Sequence, residues 1–301
     1  MTIDPNLPSV VAVRAHIPEG AFTADTLGTL REGSGVVIND KGLVLTIGYL
    51  ITEAEEVWLT THDGRVVAGH ALAIDQESGF GLIQALGNLD LPALELGDSA
   101  LAGIGDAAVF ADGQGQSVQT GIIARQEFAG YWEYLLEEAI FTAPAHPSWG
   151  GAALIDAAGR LLGIGSLRLQ MVQNGQVGDI NLVVPINLLK PILKDLLTLG
   201  NSGRPPRPWL GVFSAENNGD VVVMSVAEKG PAAQAGIQRG DVISDVADAK
   251  VDSLADFYRL LWRSGPVGAA VPMRIVRDGR EKWVRITSAD RNSFLVKPNL
   301  Q

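Results

Sequence analysis

Cysteine is absent from the 301 residues, and histidine occurs only four times, at His16, His62, His70 and His146. The first absence excludes disulfides and thiol chemistry without choosing a compartment. The two together leave no His, Cys, Asp or Glu cluster at metal-ligand spacing, so neither a metal nor another cofactor is expected. Basic residues are also scarce, 23 Lys and Arg against 34 Asp and Glu, for a net charge of -11. That balance argues against nucleic acid or an anionic membrane as partner, since both demand basic patches. Nowhere do 18 apolar residues follow one another, which argues against insertion into a membrane as a helix.

What is present in quantity is apolar residues, 47 percent, and 35 glycines. Length and apolar content predict about two domains with real cores. Through the first two hundred residues short strands alternate with Gly, Pro and Asp-Gly turns, at 10–13, 35–38, 43–47, 57–61, 66–74 and 80–85, then 107–111, 118–124, 139–142, 152–155, 161–169 and 181–184. Strand counting leaves barrel and sandwich both open. The run Tyr131-Trp132-Glu133-Tyr134-Leu135-Leu136-Glu137-Glu138 reads as a short helix or a contact surface. From Leu188 to Leu197 the spacing i, i+3, i+4 predicts a helix with one apolar stripe. Residues 200–208, rich in Gly and Pro, read as a semi-rigid linker.

Several motifs bear a resemblance to one family. The loop His146-Pro147-Ser148-Trp149-Gly150-Gly151-Ala152-Ala153-Leu154-Ile155 matches without a gap N-P-G-N-S-G-G-P-L-V of the trypsin-like HtrA/Deg proteases. Gly33-Ser34-Gly35-Val36-Val37 with Gly42-Leu43-Val44-Leu45-Thr46 resembles that family's first hairpin, and Ile74-Asp75-Gln76-Glu77-Ser78-Gly79-Phe80 its aspartate loop. Further on, Trp209-Leu210-Gly211-Val212-Phe213 is similar to the carboxylate-binding loop of a PDZ domain. Gly230-Pro231-Ala232-Ala233-Gln234-Ala235-Gly236-Ile237-Gln238-Arg239-Gly240-Asp241 is similar to that module's most specific signature.

The resemblance implies a mostly β chain: a trypsin-like double six-stranded β-barrel over 1–199, a linker over 200–208, an α+β PDZ domain over 209–292 and a tail over 293–301. It also puts Tyr49, Gly79 and Gly150 at the histidine, aspartate and serine positions of the triad. A phenol titrates near pKa ~10, and glycine offers neither nucleophile nor carboxylate, so no catalytic residue is expected. Trp149 and Tyr49 either narrow the cleft or fill the vacated volume. Ser148 and His146 offer a rearranged centre as one alternative; turn chemistry makes them a turn residue and a solvent-exposed imidazole.

For the PDZ part, the resemblance implies that Leu210, Gly211 and Val212 present amides to a terminal carboxylate. Trp209 belongs to the same loop. Phe213, Phe257 and Leu261 would line the side-chain pocket, with the groove helix over 252–261 capped by Ser253 or Asp252. The expectation is thus a non-catalytic homologue that binds peptides, unfolded proteins or free C-termini as scaffold, adaptor or regulator in protein quality control. A homotrimer or higher oligomer, using the segment around Ala21-Phe22, and assembly with an active paralogue as a structural subunit follow from resemblance alone. With Met1 as native start the chain reads as cytoplasmic; with a leader removed, as periplasmic.

Overall fold

A computed structural model of the chain describes residues 7–173 and 175–296, so the extreme N-terminus and the end of the tail lie outside the described residues. The chain divides into two compact units. One comprises the stretch up to Gln126, Glu138–Gly203 and Val296; the other comprises Glu127–Glu137 and Arg204–Leu295.

In the first unit, β1 (Val10–His16), β2 (Leu30–Val37), β3 (Leu43–Ile47), β4 (Glu56–Thr60), β5 (Val66–Ile74) and β6 (Phe80–Ala85) close into a barrel in the order β1-β2-β3-β6-β5-β4. Strand β3 is buried along its whole length, which is why Leu43-Val44-Leu45-Thr46-Ile47 shows no polar alternation. A second closed barrel, β10-β11-β12-β9-β8-β7, is built from β7 (Ala107–Ala111), β8 (Ser117–Gly130), β9 (Tyr134–Ala143), β10 (Ala153–Asp156), β11 (Leu161–Gln173) and β12 (Gln176–Pro185). The fold is mostly β, as the sequence led us to expect. The helix predicted from Leu188 begins later. Pro191 disfavours helical backbone at the residue before it, so Ile186–Leu188 forms a single 3-10 turn and the α-helix runs over Leu193–Leu199.

Between β1 and β2 the chain makes a crossing with one short helix, α1 (Ala24–Leu27), held by two buried charges. The Glu53 carboxylate accepts hydrogen bonds from the amides of Phe22 (2.9 Å), Thr23 (2.7 Å) and Val296 (2.7 Å) and from the Thr23 hydroxyl. Arg31 donates to the carbonyls of Gly28, Tyr49 and Thr52 and to Thr23. Glu53→Ala orphans three amides beside a buried guanidinium, so it is expected to cost about 3 kcal/mol. The measurement is the urea midpoint, which should fall without a change of slope.

The second unit carries one sheet, β13 (Val212–Asn217), β14 (Asp220–Val226), β15 (Val242–Val246), β17 (Ala270–Arg277) and β18 (Arg280–Thr287), with β16 (Ala249–Lys250) paired to β15. Asn218-Gly219 and Asp278-Gly279, all at positive φ, make its two-residue hairpin turns. Counting α2 as Leu193–Leu199, the helices here are α3 (Pro231–Gln234) and α4 (Leu254–Arg263). Ser253 is the cap of α4, its hydroxyl accepting from the Asp256 amide at 3.0 Å. Leu254, Phe257, Tyr258 and Leu261 then fall on one face and are buried.

Candidate functional site

Tyr49 sits in the single 3-10 turn, Gly48–Leu50, that follows β3; Gly150 lies in the loop leading to β10; and Gly79 occupies the turn before β6. The Tyr49 hydroxyl donates to the Ser166 carbonyl at 3.0 Å. Desolvation raises the pKa of this phenol further above its ordinary value, with the Trp149 side chain hydrogen-bonding to it in the opposite sense. A Cβ placed on Gly150 would lie 2.8 Å from Tyr49 Oη, so the phenol occupies the space that a side chain at 150 would enter. Gly79 adopts φ +81°, a region costly for side-chain-bearing residues, and its carbonyl accepts from the Gly48 amide at 2.7 Å. The nearby Asp75 carboxylate is committed to the amide and hydroxyl of Ser78.

His146 is fully buried rather than exposed, because the loop turns its ring inward against Phe110, with ring centroids 5.7 Å apart. Asn181 clamps its backbone from both sides: Oδ1 accepts from the His146 amide at 2.6 Å and Nδ2 donates to its carbonyl at 3.1 Å. Imidazole Nδ1 accepts from the Ser148 amide at 3.0 Å, while Nε2 points at Asp112 Oδ2, 3.9 Å away. Both of those last atoms are buried without a hydrogen-bond partner. In the trypsin-like arrangement the oxyanion is held by the amides of the nucleophile position and of the residue two before it. On the resemblance those would be positions 150 and 148, and the Ser148 amide is spent on His146.

The second constellation lies in the second unit. Leu210, Gly211 and Val212 direct their amides at one carboxylate, that of Glu133: Gly211 donates at 2.7 Å, Val212 at 2.9 Å and Leu210 at 3.1 Å. Gly211 at φ +78° permits the turn that aligns them. Burial pushes the Glu133 carboxyl up to about 7, against the pull of the three amides and of Arg291. The Tyr131 carbonyl accepts from the Ser214 amide at 2.9 Å, Arg259 pairs with Glu127 and Glu137, and the Glu133 amide donates to Tyr258 Oη at 3.2 Å. Leu135 belongs to the buried apolar cluster that also holds Leu210, Val212, Phe257 and Leu261.

The structure therefore brings Leu210, Gly211, Val212, Phe257 and Leu261 together around one feature. Phe213 is half-buried with its ring 6.2 Å from that of Tyr131. Trp209 stands apart: its amide donates to the Ala289 carbonyl and its indole packs 5.0 Å from Phe294, so it supports the loop from behind. Sequence reasoning missed Glu133. The stretch 131–138 forms no helix; it is the turn and first strand residues of the β8–β9 hairpin. A lone acid among Tyr131, Trp132 and Tyr134 was the one available signal, and nothing local told where it would go.

Residues 33–164 match the model of a trypsin-like peptidase domain, and residues 208–287 that of a PDZ domain. The chain is similar to the periplasmic pH-dependent serine endoprotease DegQ of Escherichia coli strain K12, 27% identical over 333 residues that cover 98% of this chain and 72% of DegQ. It is 29% identical to the periplasmic serine endoprotease DegP of the same strain, over 84% of this chain and 56% of DegP, so it spans about half the length of that relative. Among solved structures, a serine endoprotease from Yersinia pestis superposes with TM-score 0.55 at 24% identity, over 96% of this chain and 99% of that one.

Proposed function

Since the chain belongs to the HtrA family, a trypsin-like peptidase domain followed by a PDZ domain, we propose that it is a non-catalytic member that holds peptides or protein C-termini in the groove at Leu210, Gly211 and Val212. The observation that carries this reading is the convergence of three backbone amides on one carboxylate. A peptide's terminal carboxylate offers the same two oxygens, and edge strand β13 offers the peptide backbone a partner. The pocket for its last side chain is the cluster around Phe257 and Leu261.

At the peptidase cleft, the geometry supports inactivity. Proton transfer from a nucleophile needs a base and a carboxylate that fixes it; Tyr49 keeps its proton and Gly79 and Gly150 supply nothing. The alternative centre at Ser148 and His146 lacks support, because Nδ1 is occupied by the Ser148 amide and Nε2 faces Asp112 inside the barrel. A scaffold, adaptor or regulator in protein quality control, assembling with itself as a trimer or with an active relative, is the role we assign. The relatives named as periplasmic favour that compartment.

The test has two parts. The full chain should neither hydrolyse casein nor take up a serine-reactive phosphonate. It should also bind a peptide ending in a free carboxylate and an apolar residue at least about tenfold more tightly than the C-terminal amide of the same peptide, because a hydrogen bond to a charged acceptor contributes about 1.5 to 3 kcal/mol. Labelling that disappears in Ser148→Ala would overturn the catalytic half; equal binding of acid and amide would overturn the other.

A further inference from the structure

Glu133 is held in a position that packing alone does not account for. It adopts φ +57°, which carries backbone strain in a residue other than glycine, and its carboxyl is buried. Such placement persists only where the surroundings over-determine it, and here three of the surrounding contacts have the form of a bound ligand. The carboxylate takes the three loop amides, as a chain terminus does. The Tyr131 carbonyl takes the Ser214 amide on β13, as an added strand does. Leu135 enters the apolar cluster with Phe257 and Leu261, as a last apolar side chain does. Tyr258 ties the turn down from α4, its hydroxyl accepting from the Glu133 amide and donating to the Gly130 carbonyl at 2.6 Å.

We infer that residues 127–137 are an internal competitor for the groove, with Glu133 standing in for a terminal carboxylate, so that a free C-terminus binds only after this segment has left. The inference rests on the reading of the groove as a receptor for C-termini and adds its regulation. If the groove is open in a fraction f of molecules, the apparent Kd is the intrinsic Kd divided by f. Removing the competitor should therefore tighten binding without any new contact to the peptide.

The experiment compares the full-length wild type with Glu133→Ala and with Glu133→Gly, the second of which also relieves the positive φ and so guards against a folding defect in the first. The probe is a fluorescent heptapeptide ending in a free leucine, set against its C-terminal amide. Hydrogen exchange at the Gly211 and Val212 amides supplies a readout that needs no peptide. Both variants should bind the acid at least tenfold more tightly than wild type, with the amide unchanged, and the two protein amides should lose protection. Equal affinities in all three proteins, or unchanged protection, would overturn the inference. Lost protection with no peptide bound to any form would leave the internal competitor in place and instead overturn the reading of the groove as a receptor for C-termini.

Discussion

Gly151→Ala is expected to unfold the barrel unit at a far lower urea concentration than Gly159→Ala, although the two glycines share nearly the same backbone angle, φ +77° and +82°. A Cβ at 151 would stand 1.9 Å from the Ser34 carbonyl oxygen and 2.5 Å from Thr46 Oγ1; at 159 it would meet nothing within 4 Å. The angle alone costs roughly 1 to 2 kcal/mol in both. At 151 the added atom must also push apart backbone from different barrels, and Thr46 Oγ1 already donates to that same Ser34 carbonyl at 2.6 Å. The loss there should reach about 4 kcal/mol or more, a magnitude reserved for a named steric failure. Similar midpoints for the two variants would show that the backbone angle, and not the contact, is what position 151 requires.

Placing a histidine, an aspartate and a serine at the proposed triad positions by Tyr49→His, Gly79→Asp and Gly150→Ser is expected to give no hydrolysis above background. Removing the phenol relieves the 2.8 Å approach to position 150 but deletes the bond to the Ser166 carbonyl. An aspartate at 79 is forced to φ +81°. One donor for the tetrahedral oxyanion is still missing, since the Ser148 amide remains on His146. Losing one donor of such a pair costs on the order of 10² to 10³ in kcat. Single-turnover assays with an activated ester and with casein read both steps. Acylation at position 150 in this triple variant would show that the His146 contact gives way when substrate arrives.

Much of this arrangement was legible in the sequence, and the reason is local chemistry. Asn218-Gly219 and Asp278-Gly279 can only turn tightly, and Ser253 precedes an apolar helical stripe. Three features were missed, and two of them depend on a partner remote in the chain. His146 looks like an exposed turn residue until Asn181 and Phe110 fold over it. The helix after Pro185 looks continuous until the restriction imposed by Pro191 is weighed. The stretch 131–138 reads as a short helix or a contact surface because its meaning lies in the amides of Leu210, Gly211 and Val212, almost eighty positions later.

The hydrogen bond from Tyr49 to Ser166 spans 117 positions of sequence, and the one from the Gly113 amide to Ser34 Oγ spans 79. Neither closes until both barrels have strands in place, so the chain meets the entropy of large loops before these bonds repay it. Here the Tyr49 phenol and the Gly113 amide tie the two barrels together, which couples them into a single cooperative folding unit.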